Sequence, residues 1–136
     1  MGLVHENITL KNSCDVINAL RGIIGESQIR QLKTKAMVDT GAGTIIINEE
    51  IRQELGLEIL RDKKVRLANE SPVVCKVTEP IEIHWKNRST VTPALVLEGA
   101  GEVLLGAIPL EDMDLIVDPV NQRLVGAHGD EEIHRV

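Results

Sequence analysis

The sequence predicts a mostly-β domain that contains two or three short helices. Its apolar residues are almost all aliphatic, since Phe and Tyr are absent and Trp85 is the single tryptophan. Val and Ile are β-branched and favour strands. Many short apolar segments are separated by turn-forming residues, as in all-β domains. The chain has 136 residues, which is the length of one domain that buries a core without disulfides.

Two short helices are predicted in the first half of the chain from their capping residues. The first covers 14–21 and follows Ser13, whose hydroxyl is a candidate N-cap. The second covers 49–55, with Asn48 as its N-cap and Gly56 suited to its end. A third short helical turn is expected near Pro109, which fits a first helical turn.

The strands are predicted from the alternation of apolar and polar residues. In the segment 81–85, for example, Ile and Trp alternate with Glu and His. The turn-forming residues 118–121 predict a closing hairpin between short apolar segments. Strands are expected at 3–11, 28–38, 64–68, 73–78, 81–85, 90–97 and 102–106, and in the two arms of the closing hairpin.

Composition argues against several classes of partner. The net charge of -6 disfavours nucleic-acid binding, which needs a basic patch, and no membrane partner is expected. No apolar run reaches the length that spans a bilayer, and no signal peptide is evident, so a cytoplasmic location is expected. Cys14 and Cys75 have neither metal nor redox spacing and are interpreted as reduced thiols.

No cofactor and no metal site are predicted. His128 and His134 lie among acids in the C-terminal segment, where a metal site is conceivable, but a solvated, flexible tail is the simpler interpretation. Asp112, Asp114 and Asp118 are interpreted as helix-start and turn residues rather than ligands.

Asp39 is the most informative residue, because it follows the apolar residues 36–38 and precedes a run of small residues. A carboxylate in such a setting is costly to bury unless it is paired or hydrogen-bonded. One interpretation is an acid stabilised locally in an ordinary turn. Another is phosphate binding, since residues 39–44 match the loose pattern D-x-G-x-G-T of actin-like ATPases. That fold normally needs a longer chain and a second phosphate loop.

The third interpretation rests on two motifs in the correct order. The D-T-G-A at 39–42 resembles the signature of retroviral-type aspartic proteases, the retropepsins. The segment VLLGAIPLEDMDL at 103–115 fits their later apolar-apolar-Gly strand and short helix. The resemblance covers roughly 3–125 and extends to small bacterial members of the group. It implies a closed, mostly-β acid-protease barrel with one lobe per chain, a protease domain at 1–125 and a flexible tail at 126–136.

The resemblance also implies a function and its site residues. Acid-protease chemistry needs two carboxylates that share a proton, and this chain offers one D-T-G. The implied protein is a homodimeric aspartic endopeptidase that cuts peptide or protein substrates with water activated by Asp39 of each chain. The remaining residues of the active-site loop and substrate-binding region are expected to be Thr40, Gly41, Ala42, Gly43, Leu104, Leu105, Gly106 and Ala107.

A flap over the substrate is expected at Leu67, Ala68, Asn69, Glu70 and Ser71. The flaps of retroviral proteases are rich in glycine, which gives the backbone its freedom, whereas this segment contains none between Arg66 and Val74. The alternative is therefore a dimeric peptide-binding or scaffolding module that keeps the fold but has weak or no catalysis.

Overall fold

A computed structural model describes residues 3–66 and 71–136 of the chain. The strands in these residues are β1 (Val4–Asn12), β2 (Gln31–Val38), β3 (Ile45–Ile47), β4 (Ile59–Arg66), β5 (Pro72–Trp85), β6 (Arg88–Val96), β7 (Val103–Leu105), β8 (Leu115–Asp118) and β9 (Arg123–Gly126). The helices are α1 (Ser13–Leu20), α2 (Glu49–Leu55) and α3 (Ala107–Asp112), with a short 3-10 helix at Glu26–Gln28.

Six of the strands close into a barrel. They pair in the order β1, β2, β7, β3, β6 and β5, and β5 pairs back with β1. The long strand β5 pairs with two strands along one edge: its C-terminal half pairs with β1 and its N-terminal half pairs with β4. Strands β8 and β9 form a separate two-stranded sheet. The predicted mostly-β, closed, single-lobe fold is confirmed.

The core fills the inside of the barrel with aliphatic side chains. Side chains alternate across a strand, so every second residue points inward. Trp85 is buried at the margin of this core, and its indole N–H donates to Glu6 Oε1 at 3.1 Å, which satisfies its polar atom. The largest fully buried aliphatic residues include Leu10, Ile45, Ile47, Leu55, Leu57, Ile81, Ile83 and Leu105.

The capping residue of α1 differs from the prediction. Asn12, not Ser13, is the N-cap, and its side-chain oxygen accepts from Asp15 N at 3.0 Å. The amide of Asn12 also donates to Leu55 O at 2.8 Å. The partner in this second contact lies far along the chain, so local capping preferences could not predict it.

The second helix agrees with the prediction at both ends. Asn48 caps it by accepting from Ile51 N at 2.9 Å. Gly56 ends it with a φ of 65°, a left-handed conformation that glycine adopts without strain.

The strand predicted at 64–68 is in fact β4, which begins at Ile59. Its residues 60–64 are all exposed, so they lack the apolar alternation that identifies a strand. What makes them a strand is the ladder with β5, a long-range contact. The strands predicted at 73–78 and 81–85 are two parts of one long strand, β5. Strand β3 was not predicted, because its three consecutive isoleucines show no alternation of apolar and polar residues.

The C-terminal segment contacts the barrel at Asp114. Its carboxylate Oδ2 accepts from Ile133 N at 3.0 Å and lies 2.7 Å from His128 Nδ1. The buried Arg88 donates to the carbonyls of Met113, Asp114 and Gly129 at 3.0, 2.7 and 2.7 Å. We call Arg88, Asp114, His128, Gly129 and Ile133 the Asp114 corner. The domain boundary at 125 stays a prediction.

Within residues 3–66 and 71–136, no helix has the length and apolar character needed to cross a membrane.

Candidate active site

The main chain of Asp39 is held by the barrel itself. Strand β2 runs parallel to β7, with Val38 paired to Leu105. Asp39 N then donates to Leu105 O at 2.9 Å, so the pairing continues one residue beyond the strand. The aspartate therefore leaves the sheet from a fixed position.

The loop after Asp39 turns tightly around its carboxylate. Gly41 N donates to Asp39 Oδ1 at 3.0 Å, and Ala42 N donates to Asp39 O at 3.0 Å. A Cβ on Gly41 would lie 3.2 Å from the same carboxylate oxygen, which explains the glycine. Asp39 is half-buried, whereas Thr40 and Gly41 are exposed. The Gly41 amide is the carboxylate's one hydrogen-bond donor among the described residues, so most of its acceptor capacity stays available.

The second predicted motif supports this loop from behind. Ala107 N donates to Ala42 O at 2.8 Å, and Ile108 N donates to Gly43 O at 3.0 Å. Gly106 is buried against the loop, and a Cβ there would lie 2.6 Å from Ala42 O. Only a glycine leaves room for so close an approach. The two motifs are thus joined through backbone contacts.

The two leucines of the second motif face opposite sides of the sheet. Leu105 is fully buried in the core, whereas Leu104 is half-buried on the outer face. Leu104 pairs with Met37 on one side and with Ile46 on the other. The structure therefore brings every residue of the predicted active-site loop and second motif into one region, while their roles stay predictions.

Two parts of the predicted site need separate comment. Of the predicted flap, Leu67, Ala68, Asn69 and Glu70 lie outside the described residues, and Ser71 is exposed next to the start of β5. An added Cβ on Gly43 would meet no atom within 4 Å. Its small size therefore has no steric reason within one chain.

Sequence reasoning missed the outward-facing apolar residues beside the loop, among them Ile46. The signal was present in the run of three isoleucines at 45–47. The outer two are fully buried in the core, and the middle one packs on the opposite face. It also missed Arg88, because nothing in the local sequence marks an arginine that will be buried.

The next feature is whether side chains in the described residues could bind a metal ion. In the ranges 3–66 and 71–136, no group of three or more His, Cys, Asp or Glu side chains is arranged to hold a metal ion. The chemistry open to the loop is that of a carboxylate, its neighbouring hydroxyl and main-chain amides.

No curated protein matches the sequence. Among solved structures, a retropepsin-like aspartic protease from Rickettsia conorii is similar, with 20% identity, a TM-score of 0.46 and coverage of 87% of this chain and 89% of that chain. A family model described as "gag-polyprotein putative aspartyl protease" matches residues 26–112, which include the D-T-G-A at 39–42 and residues 103–112 of the second motif. The chain belongs to this family of retropepsin-like aspartyl proteases.

Proposed function

We propose that the protein is a homodimeric aspartic endopeptidase in which Asp39 of each copy forms half of the catalytic pair. The observation that carries the proposal is the half-buried Asp39 carboxylate, whose main chain is anchored to Leu105 and whose loop is braced by the second motif. Membership of an aspartyl protease family supports the same chemistry.

The mechanism needs two carboxyl groups and one shared proton. The ionised carboxylate takes a proton from water, and the protonated carboxyl donates to the carbonyl of the peptide bond. One chain supplies one such aspartate, so a second copy must supply the other. A two-fold axis places a residue opposite its own copy, and an exposed loop that carries Asp39 is suited to lie on that axis.

The neighbouring residues have roles that follow from their exposure. Thr40 is exposed and has no hydrogen bond within the described part of the chain, so its hydroxyl is available to the second copy. Gly41 leaves space for the facing loop and the substrate backbone. Leu104 presents an apolar surface to substrate side chains, and the segment 67–71 would cover the bound peptide. We expect these events to take place in the cytoplasm.

The proposal is tested by digestion of a peptide library at mildly acid and neutral pH, with and without pepstatin. Wild-type protein should cut peptides, pepstatin should block the cleavage, and Asp39→Asn should reduce it by at least about 1000-fold because the water loses its base. The exposed Asp130→Asn serves as the control and should retain activity. Sedimentation should report twice the chain mass of 14.9 kDa, and a stable monomer with full activity would refute the shared pair.

A second candidate function keeps the dimer and loses the chemistry. The absence of glycine between Arg66 and Val74 favours a peptide-binding or scaffolding module with weak or no cleavage. Such a module would bind library peptides and sediment as a dimer without producing fragments, and Asp39→Asn would leave its binding unchanged.

A further inference from the structure

One row of side chains crosses the outer face of the sheet, from the strand that ends at Asp39 to the edge strand β4. Each member is the pairing partner of the next, across β2, β7, β3, β6, β5 and β4. Directly paired residues place their side chains on the same face. Five members of the row are apolar and the last is cationic: Met37, Leu104, Ile46, Leu95, Val77 and Arg61.

A second pair extends the same face toward the tip of the hairpin formed by β4 and β5. Lys63 pairs directly with Cys75, which is buried. Cys75 belongs to an apolar cluster that is separate from the barrel core and that we call the outer cluster: Ile46, Val65, Val73, Cys75, Val77, Leu95 and Leu97. Arg61 and Lys63 therefore border the outer cluster on its β4 side.

These two cations are not neutralised by neighbours. Both side chains are exposed, and neither forms an ion pair with any described residue. The nearest acid in sequence, Asp62, points to the opposite face and lies 3.6 Å from Lys76. Lys64, which pairs with Val74, also lies on that opposite face. The face that carries the outer cluster thus has an uncompensated positive border.

The positive border stands out against the charge of the whole chain. The net charge is -6, yet the stretch in which β4 and β5 pair, residues 59–66 and 72–78, carries a single acid, Asp62, against Arg61, Lys63, Lys64, Arg66 and Lys76. A local field of opposite sign to the net charge of the protein favours the approach of an anionic partner to this hairpin.

We propose that Arg61 and Lys63 determine substrate specificity by selecting extended peptides in which an acidic residue lies near an apolar one. The apolar side chain would pack on the partly exposed members of the outer cluster, Ile46, Val65, Val73 and Leu97. The Glu or Asp would contact the positive border. This inference rests on the proposed function and names the substrate class for that site. Neither residue touches the reacting atoms; both act on binding.

The register sets how far the acidic residue lies from the bond that is cut. From Leu104, beside the Asp39 loop, to Arg61 the row crosses four strand-to-strand steps of about 4.8 Å each, or roughly 19 Å. An extended peptide advances about 3.3 Å per residue. The acid should therefore lie within about six residues of the cut bond.

Arg61 and Lys63 have two alternative roles, which are to protect the sheet edge or to attract a nucleic acid. Each role predicts a different result for substitutions at these residues. Lysines on an edge strand protect against edge-to-edge aggregation, in which case Lys63 and Lys64 would be equivalent. A nucleic acid would also be attracted, but Trp85 is the one aromatic side chain in the sequence and is buried, so a stacking surface for bases is missing.

The test uses pairs of peptides that differ only by Glu or Gln, with the position moved over six residues on each side of a cut site. At one or more positions, wild type should cleave the Glu peptide with about a two- to fivefold higher kcat/KM, the range of an exposed charge pair, and the preference should fall with added salt. The Lys63→Gln variant should lose much of the preference for the Glu peptide, and the double variant Arg61→Gln/Lys63→Gln should lose all of it. Both variants should cleave the Gln peptide as well as wild type does. Lys64→Gln is the matched control and should keep the preference.

Binding of the same labelled peptides to Asp39→Asn protein separates the failure of this inference from that of the proposed function. The inference is supported if Asp39→Asn protein binds the Glu peptide more tightly than the Gln peptide and the added change Lys63→Gln removes this difference. This result would hold even if the wild-type protein cuts no peptide. Equal kcat/KM and equal binding for Glu and Gln peptides would overturn it. Equal losses in Lys63→Gln and Lys64→Gln, or displacement of the Glu peptide by a single-stranded oligonucleotide that binds more tightly, would overturn it as well.

Discussion

The Asp39 loop and the Asp114 corner each contain an aspartate just after a regular element, β2 and α3 respectively. The two carboxylates differ in how many contacts they make. Asp39 is half-buried and accepts one hydrogen bond, from Gly41 N. Asp114 is buried, accepts from Ile133 N and contacts His128, and Arg88 Nη1 lies 4.0 Å from it. In the first region the main chain is fixed and the carboxylate is left available. In the second the carboxylate itself fixes the chain.

The difference shows two ways in which one small domain holds an aspartate. The Asp39 loop is held mainly by hydrogen bonds between backbone groups, and the Asp39 side chain adds the single bond from Gly41 N. The Asp114 corner is held largely by side chains, since Arg88 donates to three carbonyls from two segments, one of which, Asp114 O, also accepts from Ala127 N. Changes in the first region should therefore alter activity, and changes in the second should alter the free energy of unfolding.

The largest expected effect comes from breaking the Asp114 corner with Arg88→Met. This change removes a charged donor to the carbonyls of Met113, Asp114 and Gly129 and should lower the free energy of unfolding by about 3 kcal/mol, because three charge-assisted hydrogen bonds are lost together at a buried site. Activity per folded molecule should be retained. Urea unfolding measures the loss, and Arg123→Met, at an exposed arginine 3.7 Å from Asp118, should cost less than about 1 kcal/mol. Equal losses in the two variants would contradict the role of the corner.

The next effect comes from displacing the Asp39 loop with Gly106→Ala. Because the new Cβ would lie 2.6 Å from Ala42 O and 2.7 Å from Thr44 N, the loop must shift. Overpacking of this kind should cost about 1–3 kcal/mol, and, if Asp39 has the proposed catalytic role, a shift of its carboxylate should reduce kcat/KM by about 100-fold. A matched control is Gly101→Ala, where the Cβ meets no atom within 4 Å. Full activity in a folded Gly106→Ala protein would show that the loop does not depend on this support.

The smallest effect is on the acid dependence of stability. The hydrogen bond from the Ile133 amide, followed by the contact with His128, lowers the pKa of Asp114. A lowered pKa in the folded state means that the stabilisation is present above the unfolded value of about 3.9 and is lost as pH falls through the folded value. Asp114→Asn should therefore be less stable near neutral pH and lose stability less steeply in acid, with about one proton fewer taken up on unfolding.

Urea midpoints measured between about pH 6 and about pH 3 test this difference. The exposed Asp130→Asn is the control and should follow the wild-type curve. Parallel curves for Asp114→Asn and wild type would mean that the carboxylate of Asp114 does not hold the C-terminal segment.

Several elements were predictable because their signals are local. The helix α2 agrees at both ends, since Asn48 and Gly56 act through residues within one turn of their own positions. The D-T-G-A at 39–42 and the second motif were identified by resemblance, and the family match over residues 26–112 confirms the family that they indicated. The closing hairpin was predicted because its turn is local too, with Asp118 accepting from Val120 N and Asn121 N at 3.1 and 3.3 Å.

The errors share a cause, which is dependence on distant partners. Asn12 replaces Ser13 as the cap of α1, and it does so while it also bonds to Leu55 O. Strand β4 begins at Ile59 because β5 offers it a ladder, although its exposed side chains show no strand pattern. In both cases the deciding contact joins residues that are far apart in sequence.

The sequence by itself determined the mostly-β class, the helix α2 with its local caps and the single D-T-G-A motif on which the proposed catalytic pair rests. Tertiary structure alone decided that Gly106 lies behind the Asp39 loop, that a row of side chains from Met37 to Arg61 crosses the outer face, and that Arg88 is buried within the Asp114 corner. The physical reason is register. Local propensity and composition act within a turn or a strand, whereas the pairing of strands sets which side chains share a face, and that pairing is settled only when the whole barrel closes.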